Sequence, residues 1–473
     1  MAAPRATLAL ALGLCCAAGQ CSAANWPQAA ANPARTCHVA DQPNGPYRVA
    51  WVKGWGSEVI ANTCQPILYN GALFVGTANG TIHALELASG RELWTAELGA
   101  PIIHALACDE AHVYAAALNG AVYGLERATG RTVWRAKLSR RGFCAAPLLM
   151  DGRLYIGNRD GAFYALRASD GKLLWRADTG APIFHTAAGA EGRVVFVNEA
   201  MHAFCLDASS GKVLWRVGPL PGRSVRDYWP VIFRGRVIVR TAQAGPRELA
   251  GCLNALQEQL FWPVVYPGQE AKGLVVRFKA RSVADILREQ EIFARFFREH
   301  PYARTFLVLN LADGSEPYVA SVVTGCRMTG VPPPPVLAGD GNLYTTFRTS
   351  AAYRGLIDIT DCGLGRFDIN TGKIAQPLIC GQKDVGQVIG TSTPFELTSD
   401  ETVTLSSGGN LIFGFRCDQN GGAIDVTTKR KWTLPPVELP FSSDMLPSGN
   451  ILTVSDKYVC YVKFNHVICL EGR

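Results

Sequence analysis

Ala88-Ser-Gly-Arg-Glu-Leu-Trp94, Ala128-Thr-Gly-Arg-Thr-Val-Trp134, Ala168-Ser-Asp-Gly-Lys-Leu-Leu-Trp175 and Ala208-Ser-Ser-Gly-Lys-Val-Leu-Trp215 are four copies of one string. Their tryptophans stand 40, 41 and 40 residues apart, a period that signals propeller blades or solenoid units. Each string closes a unit with its own grammar. An apolar run such as Ala72-Leu-Phe-Val-Gly76 leads to Asn79-Gly80, which is hairpin chemistry, and one repeat on Asp160-Gly161 does the same. A second alternating run follows, as in Phe163-Tyr-Ala-Leu166, then a Gly-containing turn and a short strand ending in Trp. With the preceding run, for example Ala146-Pro-Leu-Leu-Met150, each unit holds four strands. Twisted four-stranded sheets at this period bury their faces only against each other, so they stack radially. A docked Trp takes roughly 150–250 Å² out of water, about 4–6 kcal/mol as an upper bound.

Beyond Trp215 the pattern thins. A fifth unit begins at Val237-Ile-Val239, breaks after Gln243 and resumes at Phe306. A sixth runs from Leu343 to Gly372 with Gln376 in the Trp position, and a seventh from about Thr402 to Trp432. The last starts near Ile451 and stops at Cys469-Leu-Glu471 without an outer strand. Asn44 to Trp51 reads as the end of a repeat with no beginning, so it is expected to complete that last unit and remove two sheet edges at once. The expectation is an all-β, eight-bladed propeller over residues 25–473, with Trp51, Trp94, Trp134, Trp175, Trp215 and Trp432 docking each blade on the next. The insertion at about 243–305 is the strongly non-β stretch. Ser282 can cap a helix carrying Val283, Ile286, Leu287, Phe293 and Phe297 on one side, ended by Pro301, and it is expected to pack on a propeller face.

Residues 1–24 read as a signal peptide. Arg5 precedes a short apolar run from Ala6 to Ala18, and Ser22-Ala23-Ala24 offers small residues before a cut near Asn25. Leu14, Cys15 and Gln20 are too bulky for a lipoprotein signal, so no lipid anchor is expected. The mature chain is therefore expected to be secreted or periplasmic, without a membrane span and monomeric. The full sequence's net charge of +7 is scattered, and charged residues are 18% of it, which argues against nucleic acid. Cysteines 37, 64, 108, 144, 205, 252, 326, 362, 380, 417, 460 and 469 lie beyond the signal, an even number compatible with disulfides in an exported protein. Cys362 and Cys380 are symmetric about Asn370-Thr-Gly372, and Cys460 and Cys469 about Phe464-Asn465, so either pair can oppose across a hairpin. Cys205 and Cys469 equally suit a position that takes Ala84, Gly124 or Ala165 elsewhere, where a free thiol would simply fill space.

Aligning the repeats puts Cys64, His104, Ala145, His185 and Tyr228 in equivalent places near the central channel. These are candidate channel-lining ligand residues, although blades a quarter turn apart hold their imidazoles too far apart to share one metal ion. No nucleophile elbow, phosphate loop or His-Glu-x-x-His motif occurs, so no catalytic residue is assigned.

The A-x-G-x-x-x-W strings ending at 94 and 134 and the A-x-x-G-x-x-x-W strings ending at 175 and 215 resemble the tryptophan-docking motif of the PQQ-like repeat superfamily. It includes quinoprotein alcohol dehydrogenases and the propeller component of the outer-membrane barrel-assembly machinery. The resemblance is specific over 45–216 and fainter beyond, and the insertion resembles an exported branch without assigned activity. Its catalytic members stack the quinone on an adjacent-cysteine disulfide and bind Ca²⁺. Here the only adjacent cysteines are Cys15-Cys16, inside the signal. The resemblance implies the fold and no cofactor, and the expectation is a non-catalytic binding or scaffold propeller that holds a protein or small ligand on one face or at the channel mouth. The alternative it leaves open is a PQQ-dependent oxidoreductase of alcohol or sugar dehydrogenase type, using PQQ with Ca²⁺ at a divergent site.

Overall fold

The structure is a computed structural model that describes residues 25–226, 229–242, 283–322, 333–348, 362–380, 402–416, 421–437, 439 and 452–473. Eight sheets follow in order around a propeller. In the first blade, strands Ile67–Tyr69, Ala72–Gly76, Thr81–Glu86 and Glu92–Glu97 run from the hub to the rim. Blades two, three and four repeat this at Ala107–Lys137, Leu148–Asp178 and Ala188–Val217. The middle strands are buried on both sides, as in Val194 to Val197, because each sheet is sandwiched between two others. Rim strands alternate exposed and half-buried residues.

Among the described residues the fifth blade has three strands, Val231–Phe233, Arg236–Arg240 and Phe306–Asn310. The sixth and seventh again have four antiparallel strands each, the last of them Lys373–Cys380 and Lys431–Thr433. The eighth combines Thr453–Ser455, Tyr458–Lys463 and His466–Glu471 with Arg48–Gly54 from the other end of the chain. Trp51 stands opposite Cys469, so the two chain ends meet in one sheet as expected.

A β-bulge recurs just before Trp51, Trp94, Trp134, Trp175 and Trp215, as between Ala84 and Leu85 on the partner of Trp94, whereas Trp432 pairs in regular register. The extra residue stays outside, leaving Leu93, Val133 and Leu214 exposed, while the next one turns inward toward the following blade. There the indole N–H of Trp51 donates to Leu87 O (2.8 Å), Trp94 to Arg127 O (2.9 Å) and Trp134 to Ala168 O (3.0 Å). Trp175 donates to Ala208 O (3.1 Å) and Trp215 to Leu311 O (2.9 Å). The turn glycine of the receiving blade lies flat against each ring. At Gly130, with φ +75°, a Cβ would sit 2.4 Å from the Trp94 ring. Trp432 contacts Gly45, which stands just before the strand Arg48–Gly54 and thus carries the contact to the eighth blade.

Two expectations change. The helix spans Val283–Glu299 and packs on the rim strand of the sixth blade, not on a propeller face. Ile292, Phe293 and Phe297 are buried with Val319 nearby, but Leu287 is 39% exposed and lies off the packed side. The helix is fastened by Gln290, whose Nε2 donates to Ile374 O (3.0 Å) while its Oε1 accepts from Ile374 N. The second change concerns Cys380, which pairs with Gly363 and not with Cys362. Two register shifts in the sixth blade displace the strand that symmetry about the turn would align.

Candidate functional site

The two faces of the ring differ in what joins the strands. On one face, called here the turn face, first-to-second and third-to-fourth strands are joined by two to five residues, such as 70–71, 87–91 and 338–342. The other, the loop face, carries second-to-third connections and the passages between blades. Its connections at 241–305, 349–361, 381–401 and 434–452 are far longer than anything opposite. Long connections on a rigid scaffold are where binding residues concentrate.

The hub is filled. Residues 25–39 enter from the turn face, where Asn25 Oδ1 accepts from Asn70 N (2.8 Å), and thread the ring of inner strands. Trp26 exchanges two backbone bonds with Leu68, and Pro27 O accepts from Cys108 N (2.7 Å). The Gln28 amide pairs with both backbone groups of Leu149 (3.0 and 3.1 Å). Pro33 O, Ala34 O, Thr36 O and Cys37 O accept from Gly189, Ile232, Leu337 and Ser407 in turn. Blades one to seven are thus bonded in order by fifteen consecutive residues. The segment leaves along the seventh blade, where His38–Val39 pairs in parallel with Ser407–Gly408.

Arg35 anchors this plug. Its side chain is wholly buried, and Nε donates to Ala187 O at 2.8 Å, Nη1 to Gln28 Oε1 at 3.2 Å and Nη2 to Pro147 O at 3.4 Å. Nη1 also donates to Ala29 O. Burial lowers its pKa from 12.5 to about 9, with Cys37 opposing weakly, so it stays charged near neutral pH. That depression corresponds to a desolvation cost on the order of 5 kcal/mol, which the carbonyl dipoles have to offset. Composition and spacing held no sign of this role. A lone Arg in a polar-looking N-terminal stretch has no periodicity to mark it.

The residues expected to line the channel lie beside the plug without converging. The Cys64 thiol donates to His104 O (3.4 Å), and burial raises its pKa to about 12. Burial lowers His104 to about 4, opposed by a hydrogen bond to the Cys144 backbone. His185 is buried and lowered to about 3 by desolvation. Tyr228 lies outside the described residues. Among the described residues no group of three His, Cys, Asp or Glu could hold a metal ion.

A tight polar cluster that the sequence reading missed sits where the ring closes. His83 Nδ1 meets Glu92 Oε2 at 3.1 Å and Nε2 meets Glu58 Oε2 at 3.2 Å. Trp55 stacks on the imidazole at 4.1 Å between centroids and also donates to Glu92 Oε2. Blades two, three and four place Tyr123, Tyr164 and Phe204 here, each under an arginine. Glu58 belongs to the strap that carries the N-terminal strand into the first blade, so His83 ties the strap down. His83→Ala is expected to cost about 1–2 kcal/mol, discounted because both carboxylates are partly exposed. It should also speed amide exchange at Val59 and Ala78, which are bonded to Asn79 Oδ1 and Val59 O. Unchanged exchange at both amides would refute the tether.

A family model described as outer membrane protein assembly factor BamB matches residues 40–140, 118–219 and 184–346, more than half of the chain. A search of curated proteins finds no match. Among solved structures, the quinohemoprotein alcohol dehydrogenase of Comamonas testosteroni aligns with a TM-score of 0.59 at 12% identity, covering 95% of this chain and 81% of that one. A europium-containing methanol dehydrogenase gives 0.58 at 11%, covering 95% and 98%. The computationally designed Ika8 protein gives 0.53 at 13%, covering 89% and 98%. At such identities the likeness concerns the fold alone. The repeat, the eight blades and the matched residues converge on one statement: this chain belongs to the family of PQQ-like repeat propellers described by the outer membrane protein assembly factor BamB.

Proposed function

We propose that residues 25–473 form one exported, non-catalytic propeller domain that holds a protein or small ligand on its loop face. The observation that carries this reading is the filled hub. A propeller offers its axis as the concave site for a small cofactor, and here Trp26, Arg35 and Cys37 occupy that axis with almost no exposure. The residues present do not fit a quinone with Ca²⁺. The adjacent cysteines that the resemblance calls for occur only at Cys15-Cys16, and the candidate ligands Cys64, His104 and His185 are bound to neighbouring backbone or buried singly. What remains open to a partner is the face with the long connections.

Export is supported by residues 1–24, whose charged start, apolar run and small residues before Asn25 suit a cleaved leader. No helix among the described residues is long and apolar enough to cross a membrane. A cut near Asn25 would leave the plug intact, since Asn25 is its first contact with the ring.

Titrating the purified protein with PQQ and Ca²⁺, and assaying alcohols and sugars with an electron-accepting dye, tests this directly. The expected result is no saturable quinone binding and no dye reduction. Saturable binding with substrate-dependent reduction would establish the dehydrogenase instead. Photo-crosslinkers at Arg159 on the loop face should capture a partner in cell extracts, and the same probe at Asp151 on the turn face should not. Equal capture from both would defeat the assignment of the face.

A further inference from the structure

Cys460 and Cys469 stand opposite each other in the last hairpin. The chain reverses at Phe464-Asn465, so Lys463 and His466 form the closing hydrogen-bonded pair of a two-residue turn. Bonded and non-bonded pairs alternate along an antiparallel ladder, which makes Tyr461–Ile468 bonded and Cys460–Cys469 non-bonded. Non-bonded pairs bring Cα atoms to about 4.5 Å with their side chains on the same side, inside the range that a disulfide spans. Among the described strands no other cysteine faces a cysteine: Cys108 faces Val113, Cys205 faces Val195 and Trp215, and Cys380 faces Gly363.

We infer that Cys460 and Cys469 form a disulfide that locks this hairpin before the N-terminal strand closes the ring. The order follows from access. In the closed ring both thiols are at most 1% exposed, with Thr453 flanking Cys460 and Trp51 flanking Cys469. Burial, and then contact with Cys469, raises the Cys460 thiol far above its ordinary range, so it supplies no thiolate once packed. Before Arg48–Gly54 docks, the strand His466–Glu471 is an open edge, and Cys469 lacks the Trp51 that flanks it in the closed ring. One thiolate then attacks a disulfide oxidant, small or protein-borne, and the second displaces it. Two protein S–H bonds and the oxidant's S–S bond break and one protein S–S bond forms; the oxidant takes the two electrons and both protons and leaves as free thiols.

The consequence is kinetic. The strand that must receive Arg48–Gly54 is made long after it, and a cross-linked hairpin presents that strand in fixed register. Export, as proposed above, would supply the oxidant in the cell, but the chemistry can be tested without it. Protein made reduced is unfolded in denaturant and refolded with reduced and oxidised glutathione, and the same mixture is applied to folded, reduced protein. Peptide mapping without reductant should find the 460–469 link after refolding, and at least tenfold less of it in the folded sample at equal times. Refolding without oxidant should slow protease protection of Arg48–Gly54 several-fold in the natural chain and leave the Cys460→Ala/Cys469→Ala double variant unaffected. Failure to link during refolding, or equal linking of folded protein, overturns the inference. Neither outcome depends on what the propeller binds, or on the double variant folding.

Discussion

Arg35→Ala is expected to lower the free energy of unfolding by about 3–5 kcal/mol and to expose residues 25–39 to proteases. The guanidinium joins carbonyls from two blades, Ala187 in the fourth and Pro147 in the third, to Ala29 and Gln28 of its own segment. Removing it strands those acceptors in a closed site, and each unsatisfied buried group costs about 1–3 kcal/mol. Its desolvation cost is regained in the variant, which is why the net loss is smaller than the sum of the bonds. Arg35→Lys keeps a charge but has no planar fork to reach acceptors in several directions, so it should fall between the two. Denaturant unfolding and limited proteolysis read both effects. A variant within about 0.5 kcal/mol of the natural chain, with its N-terminus still protected, would show that the plug is held by the backbone ladder alone.

Trp215→Ala should cost a similar amount, about 3–5 kcal/mol, by emptying the seam between the fourth and fifth blades. The indole is 7% exposed, donates to Leu311 O and packs against Gly314 at φ +74°. The seam matters more than most because, among the described residues, the fifth blade has three strands and the shortest ladder of its own. Trp215→Phe keeps most of the apolar area and loses the N–H, so about 1 kcal/mol beyond the lost volume is expected. The denaturant midpoint of the two variants separates area from hydrogen bond. Nearest-neighbour coupling between blades predicts that the loss reaches the fifth blade first, as faster amide exchange at Val237 and Val239. Exchange that accelerates uniformly around the ring would argue against that coupling.

Some of this was readable in advance and some was not. The four full strings, their Gly turns and the orphan strand ending at Trp51 announced the blades and the seam, because each is a short-range pattern that burial imposes at a regular interval. Tyr318 was missed although it stands four residues after Gly314, as each Trp stands after its glycine in the four strings. It donates through its hydroxyl to Ile369 O and packs on Gly372. The offset was the available signal, and the change of residue type hid it. The side of the helix that packs was misjudged at Leu287, since apolar spacing marks a stripe without saying which neighbour covers its first turn. Cys362 and Cys380 were misaligned because bulges shift register without leaving a mark in residue order.

Residue order alone decided that this chain makes Trp-bearing sheets at a regular interval and that the strand ending at Trp51 belongs to the last blade. Both follow from local hydrophobic alternation and turn chemistry, which act within about forty residues. What occupies the hub was decided only in three dimensions. Residues 25–39 have no regular period of their own, and their partners, from Leu68 to Ser407, are brought to one axis only when the blades stand in a circle. A segment that owes its conformation to seven distant strands shows no pattern until those strands surround it.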